Sequence, residues 1–133
     1  MRRTARLADG WLASAYNTTP PLFTDAWSSL RDVLVEHGKD PETFPNALAT
    51  MFCYITEDRS EADRVLRERI APRINRPEDV LRDRLPVGPA ELFAEKLTEY
   101  RRAGVQCVYI WPVADEVKQL ELFAETVRPH ITG

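Results

Sequence analysis

A chain of 133 residues, 44% hydrophobic and 29% charged, has the size and composition of one folded domain around one core, which excludes a disordered tail. Its 18 basic and 21 acidic side chains leave a net charge of -3, and the signs are interspersed, so no basic footprint marks a nucleic-acid partner or an anionic membrane. No run of roughly 18 apolar residues is present to cross a membrane as a helix.

Met1-Arg2-Arg3 begins like a signal peptide, but Ala8-Asp9-Gly10 interrupts any apolar run behind it, and a cytoplasmic location is expected. Residues 4–8 read as the end of a helix that Asp9-Gly10 stops. The short apolar run behind it makes residues 10–14 a first strand. Thr19-Pro20 then supplies an N-cap and a first-turn proline. Phe23, Ala26, Trp27, Leu30, Val33 and Leu34 recur at helical spacing up to Gly38, whose lack of a Cβ suits a left-handed cap.

Residues 47–56 are apolar on both alternating faces, as a strand buried on both sides would be. Ser60 with Asp63 resembles a capping box, and the helix it opens is expected to stop at Pro72. Residues 73–86 read as a charged loop with one short helix near 77–84. Gly88-Pro89 opens a further helix, striped by Leu92, Phe93, Leu97 and Tyr100 and closed by Gly104. Residues 105–113 (VQCVYIWPV) form a third apolar strand. Asp115 caps a last helix with Val117, Leu120, Phe123, Ala124 and Val127 on one face. Cys53 and Cys107 fall in strand-like runs and are expected as reduced core thiols. Strands alternating with helices predict an α/β fold with parallel strands and right-handed crossovers, as a single domain over 1–133.

Three stretches carry a family resemblance. They are Arg2-Arg3-Thr4-Ala5-Arg6-Leu7-Ala8-Asp9-Gly10-Trp11-Leu12, then Arg102-Ala103-Gly104-Val105, and Ile110-Trp111-Pro112-Val113 followed by Gln119-Leu120-Glu121-Leu122-Phe123-Ala124. In this order they resemble the last part of the luciferase-like, flavin-dependent oxidoreductases and monooxygenases, whose fold is a (β/α)8 barrel. The resemblance implies a partial TIM barrel comprising the last three parallel strands, over 10–14, 47–56 and 105–111, with their helices. It also implies FMN or the deazaflavin F420 as cofactor of the complete barrel. The groups that grip the flavin are expected mostly on the strands that are missing, so this chain alone is expected to hold no cofactor tightly. The start at Met1 is expected to mark a truncated reading frame or a fragment.

In such a barrel the chemistry lies at the C-terminal ends of the strands. This picks out Ser14, Tyr16, Asn17 and Thr18 after the first strand, whose hydroxyls and amide can bond a cofactor or substrate or simply form a polar loop and cap. It also picks out Thr56, Glu57 and Asp58, as acid–base groups or as a solvated turn, and Trp111 with Pro112, as a wall against a planar ring or as core. Ser14, Tyr16, Asn17 and Trp111 are the candidates for facing substrate or cofactor; no catalytic residue is assigned. His37 suits a helix end and His130 lies in the tail; neither has a second ligand at a metal spacing. Arg67, Arg69, Arg73 and Arg76 read as a solvated face. A small-molecule substrate is expected, and so is a second copy or a separate N-terminal half to cover the inner face of the sheet, which leaves a non-enzymatic, self-associating half-barrel as the competing reading.

Overall fold

The computed structural model describes residues 1–132. Helix α1 (Arg2–Leu7) leads into strand β1 (Trp11–Ser14), a single 3-10 turn at Ala15–Asn17, and α2 (Pro20–Glu36). Thr19 caps α2, its hydroxyl accepting from the Leu22 N–H, and Gly38 ends it at φ +72°. Strand β2 (Asn46–Ile55) is followed by α3 (Arg59–Val65), a π-helical turn (Leu66–Ile70), α4 (Ala71–Ile74), α5 (Glu78–Arg84) and the two-residue β3 (Val87–Gly88). Then come α6 (Ala90–Arg102), β4 (Val108–Pro112) and α7 (Glu116–Leu122), which runs on through a second π turn (Phe123–Val127).

All strand pairs are parallel, with β2 at the centre. One edge of β2 takes β1 along its N-terminal half and β3 at its C-terminal end; the other takes β4. The structure thus adds a short fourth strand to the three expected. It also shortens the last one, which starts at Val108 rather than 105. The reason is a side-chain clasp: buried Asn46 accepts from the Gln106 N–H and donates to the Gly104 carbonyl, while the Gln106 amide oxygen accepts from the Asn46 N–H. Side chains occupy there the backbone groups that a ladder would use.

Helices cover only one face of the sheet. Trp11 stacks on Phe23 and Trp27 of α2 at 4.9 and 6.0 Å between ring centroids, and Leu48 and Met51 are fully buried, with Cys53 almost so. Between Leu48 and Met51 the register slips by one residue. Thr50 is the extra residue, at φ +57°; the bulge absorbs it, so Leu48 and Met51 both face the helices. Among the described residues no helix covers the opposite face at Leu12, Tyr109 and Trp111, which are 60% exposed or more. Cys107 is exposed, whereas Cys53 is buried. The expectation of two core thiols fails for Cys107 because β4 begins only at Val108, so Cys107 stands before the strand and outside the core.

Three helix expectations are corrected. The cap of α3 is Asp58, whose Oδ1 accepts from the Ser60 and Glu61 N–H groups, in place of a Ser60–Asp63 box. Pro72 does not end the helix that precedes it. A π turn stands immediately before Ala71-Pro72, and a second before Arg128-Pro129. A proline has no N–H and crowds the carbonyl four residues back, and a single wide turn relieves both. The chain turns only at Asn75, in the left-handed region at φ +51°. In α7, Val117 and Leu120 are exposed while Gln119 is buried. Its amide oxygen accepts from the Ile55 N–H (2.6 Å) and its nitrogen donates to the Ile55 carbonyl (3.0 Å). Gln119 supplies to the end of β2 the two bonds a neighbouring strand would give, and that requirement overrides the apolar stripe.

Candidate functional site

The helix-free face carries a row of three aromatic rings near the C-terminal ends of the strands. Phe52 stands at its middle because β2 alternates from buried Met51 to Phe52 to buried Cys53. Tyr16 approaches it from the turn after β1, at 6.3 Å between centroids. On the other side stands Trp111 of β4, which the register places opposite Phe52, at 5.5 Å. Tyr109 and Leu12 extend the apolar surface. Aromatic neighbours at these separations stabilise one another by about 0.5–1.5 kcal/mol per pair.

Polar groups border the row at both ends. At the β2–β4 end, the Tyr54 hydroxyl donates to Glu61 Oε1 (2.8 Å) and lies 3.3 Å from Asp115 Oδ2. The Thr56 hydroxyl donates to Glu61 Oε2 at 2.9 Å. Bonds from Tyr54, and then from Thr56, hold the Glu61 carboxyl below its ordinary value. The same bond to Glu61, with burial and the charges of Glu61 and Asp115, pushes the Tyr54 phenol up to about 12. Asp58 is held down by the Ser60 hydroxyl and by the N–H groups it caps. Asp115 adopts φ +49°, a conformation that costs a non-glycine residue about 1–3 kcal/mol and often accompanies function. At the β1 end, Arg76 lies over the Tyr16 ring at 6.0 Å and donates to Asn17 Oδ1 at 3.0 Å.

Of the four residues the sequence singles out, Tyr16 and Trp111 share the row, joined through Phe52, and Asn17 reaches it through Arg76. Ser14 turns to the bulge, its Oγ 2.8 Å from Thr50 Oγ1. Thr56 supports Glu61, Asp58 is a helix cap, and Glu57 is exposed. Within the arginine cluster, Arg67 pairs with Glu78 and Arg69 and Arg73 are exposed. Arg76 is exposed, as a solvated face requires, and also contacts Tyr16 and Asn17. Phe52, Tyr54, Glu61 and Arg76 are what the site adds. Alternation along residues 47–56 points to the first two, whereas nothing local connects Arg76 to Tyr16, 60 positions earlier. A concavity of about 920 Å³ lies away from this row, between α6 and the α7 end of the chain, among Glu91, Glu95, Glu99, Glu125 and His130.

No family model and no curated protein matches the sequence. Solved structures do match the fold. An F420-dependent secondary alcohol dehydrogenase, in complex with an F420–acetone adduct, superposes with a TM-score of 0.81 at 14% identity over 99% of this chain and 46% of its own. The coenzyme F420-dependent tetrahydromethanopterin reductase of Methanopyrus kandleri gives 0.67 at 20% identity over 98% and 48%. An EDTA monooxygenase of Chelativorans gives 0.68 at 16% over 98% and 43%. The chain therefore shares the fold of part of these F420-dependent and monooxygenase structures and spans less than half the length of each.

Proposed function

We propose that this chain is the C-terminal portion of a luciferase-like (β/α)8 barrel and forms one wall of the ligand pocket of a flavin- or F420-dependent oxidoreductase or monooxygenase. The observation that carries this reading is the row Tyr16–Phe52–Trp111 on a helix-free face, at the strand ends where such barrels do their chemistry, in a chain whose fold matches about half of F420-dependent structures. A planar isoalloxazine or deazaflavin ring fits a wall of this kind. The phosphate end fits less well: the five glycines stand apart from one another, and no glycine-rich turn is present to cradle a phosphate.

The bound cofactor supplies hydride transfer or oxygen chemistry, and the protein supplies orientation and exclusion of water. Tyr16, Phe52 and Trp111 present the flat surface. Tyr54, held protonated beside Glu61 and Asp115, fixes the polar end of the wall, and Asn17 with Arg76 borders the other.

Fluorescence titration with FMN and with F420 tests the reading. The isolated chain is expected to form no complex of micromolar or tighter affinity. Mixed with a polypeptide that supplies the remaining strands of the barrel, sought in the sequence upstream, it is expected to reach that range and to lose at least about tenfold on Trp111→Ala. Tight binding by the chain alone, or no gain from the added half, overturns the proposal. A second reading, a non-enzymatic half-barrel that pairs with its own copy, is favoured by the exposure of Leu12, Tyr109 and Trp111. Absence of any encoded complementary half would support it.

A further inference from the structure

The aromatic row has opposite charges at its ends. Carboxylates of Glu61 and Asp115 stand at the β2–β4 end. At the β1 end two guanidinium groups converge on Tyr16: Arg76 over its ring, and Arg84, whose Nη1 donates to the Tyr16 carbonyl at 3.1 Å. Both come from the segment between β2 and α6, and the left-handed turn at Asn75 delivers Arg76 there. Its guanidinium is already held without a ligand, with Nη2 on Asn17 Oδ1, Nη1 on the Asn75 carbonyl (3.3 Å) and its central carbon 6.0 Å from the Tyr16 ring centroid.

Three arginines of this segment are neutralised, Arg64 by Glu68, Arg67 by Glu78, and Arg82 by Asp63 and Glu78, whereas Arg59, Arg69 and Arg73 are exposed to solvent. Among the described residues neither Arg76 nor Arg84 has a carboxylate within ion-pair distance. Their partners are a neutral amide and main-chain carbonyls, which use some of the fork's N–H donors and none of its charge. A tether for the segment would need the hydrogen bonds alone. The uncompensated charge, beside a flat apolar surface, suits a ligand that carries its own negative group.

We propose that Arg76 is an anion-recognition site that takes the carboxylate or phosphate of a ligand whose flat body lies on Tyr16, Phe52 and Trp111. The inference rests on the reading of that row as a ligand wall, and its test requires neither redox chemistry nor a completed barrel. A guanidinium held in place binds an oxyanion through paired, charge-assisted bonds at little further entropic cost. A carboxylate would come from the substrate and a phosphate from the cofactor.

Two matched pairs of probes separate these sources: benzoate with benzamide, and FMN with riboflavin. Titration of the chain by NMR, following the Asn17 side-chain amide and the Trp111 indole, is expected to show about tenfold tighter binding of the charged member of at least one pair. Preference for benzoate alone assigns a substrate carboxylate, and preference for FMN over riboflavin assigns the phosphate. Arg76→Gln is expected to abolish the preference. Arg73→Gln removes the same charge from an exposed position and is expected to leave it. Arg76→Lys, which keeps the charge without the fork, is expected to retain the fold and a reduced preference. Equal binding of charged and neutral probes, no saturable binding, or a preference that survives Arg76→Gln would show a tether only and overturn the inference. A chain that prefers the anion yet gains no cofactor affinity from a complementary half leaves the inference standing and overturns the proposed function.

Discussion

Glu61 shows how one carboxylate can organise the end of a strand. It accepts from Tyr54 of β2 and from Thr56 just beyond it, and these bonds favour its charged form, so its value in the folded chain lies below the ordinary 4.5. A depressed carboxyl stabilises the fold above its unfolded value, and the contribution fades as the pH falls through the folded one. The stability difference between wild type and Glu61→Gln in urea unfolding is therefore expected to be constant at neutral pH and to narrow below 4.5; a difference that is flat into the acid range would contradict it. The residues of this network are close in sequence, and the sequence shows Thr56, Glu57 and Asp58 as a polar patch without singling out Glu61. Arg76 on Tyr16 is not legible at all, because α2, β2, α3, α4 and a left-handed asparagine intervene. Tyr16 and Trp111 are legible only as members of strand ends; Phe52, which joins them, is known from alternation once β2 has a face.

Helix periodicity locates α2 and α6 because each buries one stripe against the sheet: Phe23, Trp27, Leu30 and Leu34 in α2, Phe93, Ala94 and Leu97 in α6. Periodicity misleads in α7, where the buried position is Gln119. Replacing it with leucine keeps the volume and leaves the Ile55 N–H and carbonyl without partners. Gln119→Leu is expected to destabilise the chain by about 2–4 kcal/mol, and the Ile55 amide is expected to lose its protection from hydrogen exchange. An unchanged urea midpoint would show that water replaces the amide. The π turns escape a sequence reading for a related reason, since a proline normally signals a stop and here follows a turn already widened to accept it. The strand Val87–Gly88 is too short to leave a pattern.

At the scale of the whole molecule, counting strands anticipates an uncovered sheet face, and Tyr109 and Trp111 are indeed exposed on it. An apolar surface of this kind, beside unpaired strand edges, favours association. Sedimentation equilibrium of the isolated chain is expected to give a dimer or larger species, and Leu12→Lys with Trp111→Lys to give a monomer. A monodisperse wild-type monomer with a sharp cooperative transition would mean that the face needs no cover.

The pairing of Tyr54 with Val87 and of Ile55 with Gly88 has a different consequence. It brings the end of the segment spanning 56–86 back beside its beginning, on adjacent strands. Within it α3, α4 and α5 all meet at the first π turn, and Val65, Leu66, Ile70, Leu81 and Leu85 are buried. Such a segment is portable: its ends fit any connector that spans neighbouring strands, and the entropy of closing a loop changes only slowly with length. Exchange of residues 56–86 for a short glycine–serine linker is expected to preserve β1, β2, α6 and β4, with a cooperative thermal transition, while removing Glu61, Arg76 and Arg84 together. Ligand preference would then be free to diversify by exchange of a single stretch of chain, with the sheet beneath it untouched.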